Sequence, residues 1–212
     1  MYAFYLHGFA SSSQSSKATF IAERLRKHHV ELFVPDLNQP DFSTLTITRM
    51  VRQVSDAIDA LPARPVALIG SSLGGFVAVQ VALMRPERVN RLVLLAPALD
   101  FGGNRMRALG EIGLDEWKRR NRLDVFHYGN GRMMGVHYEL YEDARRYDSM
   151  NAALRMPIQV FQGRRDDAVN PSTVERWARA RPNVELHMLD DDHQLAASLD
   201  YIWTEMSRFF AL

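Results

Sequence analysis

A serine hydroxyl becomes a nucleophile when a strained turn lifts it clear of the chain and a base stands within reach. Gly70-Ser71-Ser72-Leu73-Gly74 has the make-up of such a turn, because glycine two residues to either side leaves room for a serine thrown outward between them. Of the doubled serines, only Ser72 has glycine at both places. Seven histidines compete to be its base. His28 and His29 close an amphipathic helix, His127 and His137 fall in an irregular stretch, and His187 lies within a strand. His193, in the loop Asp190-Asp-Asp-His-Gln194 after the last strand, has the right position. The acid that orients it must come from another loop. Gly163-Arg-Arg-Asp-Asp-Ala-Val-Asn-Pro171 offers Asp166 and Asp167, with Asp100 as a spare. As metal ligands, Asp190 to His193 would be crowded and would lack a spaced partner, so no metal is expected.

His7-Gly8-Phe9 is a second chemical element. If it follows a strand beside the serine turn, the backbone N–H groups of Phe9 and Leu73 can form an oxyanion hole for a tetrahedral intermediate. His7 itself can serve as a structural hydrogen-bonding group or as a catalytic one.

These residues need a scaffold that brings distant loops to one edge. Short apolar runs alternate with helical patterns, which argues a three-layer α/β/α sandwich around a mostly parallel sheet. Strands are expected at 2–6, 31–34, 66–69, 91–95, 158–161 and 184–189. Their expected spatial order is 2-1-3-4-5-6, counted in order of occurrence. The expected helices start near residues 17, 47, 76, 171 and 195. Ser72, Asp166 and His193 then all lie at the carboxyl edge, where open α/β sheets bind ligands. Residues 101–150 break the rhythm with arginine, glycine, aromatics and methionine. They are expected to form a helical cap without strands, one domain with the rest of residues 1–212. Met106, Leu109, Ile112, Leu114 and Trp117 keep helical spacing, followed by Phe126, Tyr128, Met133, Met134, Tyr138 and Tyr141. Any of these facing the site would shape an apolar acyl pocket. Arg105, Arg107, Arg119, Arg120 and Arg122 could meet a negatively charged substrate.

Composition excludes several other classes. At 212 residues the chain can bury a real core without staples. With 26 Lys and Arg against 25 Asp and Glu, there is no field to hold a nucleic acid backbone or an anionic membrane. The absence of cysteine removes disulfides, thiolate metal sites and a cysteine nucleophile. No apolar run is long enough to span a bilayer and no secretory leader is evident, so a cytoplasmic location is expected.

Taken together, the elbow Gly70–Gly74, the His7-Gly8 turn and Gly163-x-x-Asp166-x-x-Val169 followed by His193 resemble the α/β-hydrolase superfamily over the whole chain. The opening Tyr5-Leu-His-Gly-Phe9, with its serine cluster, resembles the small bacterial YqiA-like esterases. The resemblance implies Asp166, rather than Asp167, as the acid. It also implies a minimal core, a carboxylic-ester hydrolase without cofactor, and a small-molecule ester as substrate. Thioester hydrolysis, acyl transfer and a catalytically inert binding module are the alternatives.

Overall fold

The computed structural model describes residues 1–102 and 109–212. In chain order the elements begin with β1 (Tyr2–Leu6), α1 (Ser16–Lys27), β2 (Glu31–Phe33) and α2 (Ile47–Asp59). They continue with β3 (Val66–Ser71), α3 (Leu73–Met84), β4 (Val89–Leu95) and α4 (Gly110–Arg120). Next come β5 (Leu123–His127), β6 (Arg132–Val136), α5 (Glu139–Ala144) and β7 (Ile158–Gly163). The chain closes with α6 (Pro171–Arg179), β8 (Val184–Leu189) and α7 (Leu199–Phe210).

Six strands form one sheet in the order β2-β1-β3-β4-β7-β8, and every pairing in it is parallel. This is the arrangement expected from the sequence. The central strands β3 and β7 are buried from end to end, as strands covered on both faces must be. Their side chains alternate between two cores. One core gathers Phe4, Leu68, Leu92 and Val160 with α2, α3 and α6, and the other gathers Tyr5, Ile69, Val93 and Phe161 with α1 and α7. Local chemistry starts the helices. Ser15 accepts from the N–H of Ala18 at the head of α1, and Thr46 from that of Arg49 at the head of α2. Asn170 accepts from Ser172, with Pro171 in the first turn of α6. Helix α3 is apolar on every side because it runs through the core. Its one polar side chain, Gln80, donates to Ser149 at 2.8 Å.

The insertion departs from expectation. Besides α4 and α5 it contains an antiparallel hairpin, β5–β6, paired from Leu123↔Val136 to His127↔Arg132. The alternation half-buried, exposed, half-buried, exposed, buried along β5 is a strand signature that the arginines, methionines and glycines of this stretch obscure. The hairpin is tied to the core at two places: Tyr128 N–H donates to Ala10 at 2.7 Å and His137 N–H to Ser43 at 2.9 Å. The last helix also starts later than expected. Leu195 has φ of 56°, a left-handed conformation that breaks any helix passing through it.

Candidate active site

The loop from β3 into α3 decides where the serine goes. Ser72 has φ of 54° and ψ of −118°, a strained conformation for a residue with a side chain. Hydrogen bonds pin it from both sides: its N–H donates to Leu95 at 2.9 Å, while its carbonyl accepts from Ala98 at 3.0 Å. A β-carbon at Gly70 would lie 2.5 Å from the carbonyl oxygen of Gly74, and one at Gly74 would overlap the carbonyl of Leu6. Both glycines are therefore demanded by backbone packed against backbone, as the spacing in the sequence implied.

Three loop-borne side chains, the serine among them, meet in a line. Ser72 Oγ lies 3.0 Å from His193 Nε2, and His193 Nδ1 lies 2.8 Å from Asp166 Oδ2. The Asp166 side chain is fully buried. Its Oδ1 accepts from the N–H groups of Ala168 at 2.9 Å and Val169 at 2.7 Å, and its Oδ2 also accepts from Gln162 at 2.8 Å. Burial alone would push this carboxyl up. The hydrogen bonds from His193 and Val169, the charge of His193 and the Gln162 amide outweigh burial and hold it below the ordinary carboxylate range. Asp167 and Asp100 stand apart from this line of contacts, on the wall of the adjoining cavity.

The turn after β1 abuts the elbow, since a β-carbon at Gly8 would sit 3.2 Å from Ser72 Cβ. Phe9 thus follows directly on a residue in contact with the serine, and its ring packs on Phe42 and Phe101 at centroid separations of 5.5 and 6.2 Å. His7 is buried and its two nitrogens are engaged away from the serine. Nε2 accepts from Leu37 N–H at 3.0 Å, and Nδ1 lies 2.9 Å from the Gly8 carbonyl. Burial lowers its pKa, against the pull of Gly8 and Asp36, which favours a neutral ring with the proton on Nδ1. Of the two roles open to His7, the contacts support the structural one.

A cavity of about 680 Å³ adjoins the acid. Among the described residues it is walled by 97–100 after β4 and by 166–171, 173 and 174 after β7, with Pro97, Leu99, Val169 and Val174 in its apolar lining. The cap aromatics do not line it. Trp117 is fully buried and donates to Val136 at 2.9 Å, while Ile112 and Tyr128 face outward. Met106, Arg105 and Arg107 lie outside the described residues.

Two residues near the line were given no role in the sequence reading. Gln162 is a fully buried amide near the end of β7, which carries a second buried amide at Gln159, and a polar side chain in so buried a strand was the available signal. Lys17 is buried on the same face of α1 as Ile21 and Leu25, each four residues apart, and donates to the carbonyl of Gln194. Elsewhere, Glu185, His187 and Glu205 bring possible metal ligand atoms within 4.8 Å of one another at the outer edge of the sheet. That histidine is already paired, with Glu185 at 2.9 Å and Tyr201 at 3.0 Å.

The chain matches the uncharacterised protein family UPF0227 over residues 2–211. It belongs to that family. Its fold is that of the α/β-hydrolases. A structure of Est1E from Butyrivibrio proteoclasticus with ferulic acid bound superposes with a TM-score of 0.85 at 20% identity, covering 99% of this chain and 88% of that one. A palmitoyl-protein thioesterase, ABHD10 of Bos taurus mitochondria, is 21% identical over 210 residues, 92% of this chain and 68% of its own. A Bacillus subtilis protein with the provisional name 2-succinyl-6-hydroxy-2,4-cyclohexadiene-1-carboxylate synthase is 34% identical over 154 residues, 66% of this chain. The UPF0227 chain spans about half (54%) of that relative's length. No helix among the described residues is long and apolar enough to cross a membrane.

Proposed function

We propose that this UPF0227 protein is a serine esterase acting on small to medium acyl esters through an acyl-enzyme. The observation that carries the reading is the unbroken contact line from Ser72 Oγ through His193 to Asp166, with the serine held at positive φ. In the acylation step His193 Nε2 takes the proton of Ser72 as its oxygen attacks the acyl carbonyl. The imidazolium then gives that proton to the departing alcohol. Asp166 holds the Nδ1–H tautomer and offsets the imidazolium charge. The N–H groups of Phe9 and Leu73 receive the developing oxyanion, a role supported by the contact of the β1 turn with the elbow. Water enters against the same base and releases the acid.

The acyl group fits the cavity beside Asp166, whose volume of about 680 Å³ sits in the range of small-molecule pockets. Residues 101–150 act in this reading as a cap on the core. Thioester hydrolysis uses the same groups, and the thioesterase among the relatives keeps it as the second reading. The test is turnover of p-nitrophenyl esters of graded chain length beside the matching acyl thioesters, with Ser72→Ala as control. Ester turnover that falls off beyond medium chains and vanishes in Ser72→Ala supports the reading. Absence of turnover, or turnover that survives Ser72→Ala, refutes it.

A further inference from the structure

The β8–α7 loop that carries His193 is hard to hold still by its own composition. Residues 190–192 are three consecutive aspartates, and a fourth carboxylate, Asp166, touches the imidazole. Internal hydrogen bonds shape part of the loop. Asp191 accepts from Asp192 N–H and from the Ser198 hydroxyl, each at 2.8 Å, and Asp192 accepts from Gln194 N–H at 2.8 Å. The 190–191 end is tied to the β7–α6 loop, where Arg165 donates through its N–H to the Asp191 carbonyl at 3.0 Å and through its guanidinium to the Asp190 carbonyl at 2.9 Å and the Asp190 carboxylate.

Lys17 ties the other end, next to His193, to α1. Its Nζ donates to the carbonyl of Gln194, the residue after His193, at 2.9 Å across 177 positions of sequence. The location is unfavourable for a cation on two counts. The side chain is buried on the packed face of α1, and it stands in the first helical turn, where the dipole opposes positive charge. Burial lowers its pKa to about 8, against the upward pull of Asp192, Asp166 and Asp191, the carboxylates that face it from the two catalytic loops. A charge kept at such cost, one residue from a base, marks a place where stability is surrendered to function.

We propose that Lys17 is a positioning residue for the reaction: its buried ammonium clamps residues 190–194 to α1 and so holds the His193 ring between Ser72 and Asp166. The proposal rests on the serine-esterase reading. It adds that the base stays in register only while Lys17 is charged. The ammonium neutralises part of the negative field of the three carboxylates and makes a charge-assisted bond to the Gln194 carbonyl. Loss of its proton weakens both, and the loop loosens.

The test measures how fast a fluorophosphonate labels Ser72, from about pH 6 to about pH 10, a span that brackets the Lys17 value of about 8. The variants are Lys17→Met, which keeps length and removes charge, and Lys17→Arg, which keeps charge and does not titrate in this range. Wild-type labelling should fall as the pH rises through about 8. Lys17→Met should be slower at neutral pH by about ten- to a hundredfold, the cost of an ångström of misplacement, and should lack that alkaline limb. Lys17→Arg should restore most of the rate and hold it to higher pH. Thermal unfolding supplies a readout that a mere structural brace would move the other way. The folded value lies below the unfolded one of about 10.4, so wild-type stability rises with pH between about 8 and that value. Lys17→Met, with no charge to bury, should be at least as stable as wild type at neutral pH. The proposal is overturned if Lys17→Met labels at the wild-type rate with the same pH profile, or if its slower labelling comes with a lower unfolding midpoint. A wild-type protein that labels nowhere, or at a residue other than Ser72, would instead overturn the esterase reading on which the proposal rests.

Discussion

Replacing Asp166 by asparagine changes one atom in a position where four hydrogen bonds converge. Oδ1 receives the N–H groups of Ala168 and Val169, and an amide oxygen can go on receiving both. Oδ2 receives Gln162 Nε2 and faces His193 Nδ1, both at 2.8 Å, and there the new NH₂ group meets two donors. The Gln162 conflict can be relieved by a turn of that amide, which gives the NH₂ group an acceptor in Oε1, buried without a partner among the described residues, at the cost of the 3.1 Å bond from Nε2 to the Gly163 carbonyl. The His193 conflict is relieved only by moving the ring proton from Nδ1 to Nε2, where it points at Ser72 and the base is lost. The expected result is a folded protein whose kcat falls by about 10⁴-fold, about 5.5 kcal/mol of barrier. Acid unfolding gives a second signature. The carboxyl titrates below its ordinary value when folded, so its stabilisation is full above about pH 4 and is lost as the pH falls through the lowered value. The variant should lack that loss. Steady-state kinetics on a p-nitrophenyl ester, with urea unfolding at several pH values, measure both effects. A variant within tenfold of wild type, with Asp100→Asn worse, would show that the reasoning about the tautomer is wrong.

Ser72→Ala should remove about 10⁴-fold or more of kcat, whereas Ser71→Ala, altering a buried residue at the end of β3, should cost far less; the reverse ranking in the same ester assay would move the nucleophile. Gly74→Ala should destabilise by about 1–3 kcal/mol or more, because its methyl meets the carbonyls of Leu6 and His7 with backbone on both sides, and an unchanged urea midpoint would contradict that packing. Excising 101–150 should abolish folding rather than retune chain-length preference. Trp117, Val136, Leu140, Tyr141 and Ala144 are buried in the main core, and the large ones alone are worth about 1.5–3 kcal/mol each; a cooperatively unfolding deletion variant would disprove it.

The order of the six strands, and the meeting of Ser72 with His193 at one edge, were legible because each depends on local pattern: glycine spacing, apolar runs, and the fact that every loop from a parallel strand into its helix opens at one edge. The choice of Asp166 over Asp167 was not legible from spacing within the loop and came from the resemblance. In the structure the N–H groups of Ala168 and Val169 both donate to the Asp166 carboxylate. The hairpin was missed because Met133, Met134 and Gly135 carry little strand propensity. Its stability comes from tertiary anchors on Ala10 and Ser43, which no window along the chain contains. The same limit explains Trp117. Its helical spacing said that it would be buried, without saying whether against a substrate or against Val136.

Ser72, Asp166 and His193 follow β3, β7 and β8, and the last of these strands docks at the sheet's far edge from β2. On refolding from denaturant, the elbow can be complete while the base is still adrift. Fluorescence from the Trp117 region would then report the closing of the main core, and regained reaction at Ser72 would report the docking of β8 onto β7. A lag between the two signals would time the final step of assembly, with the labelling of Ser72 as the clock.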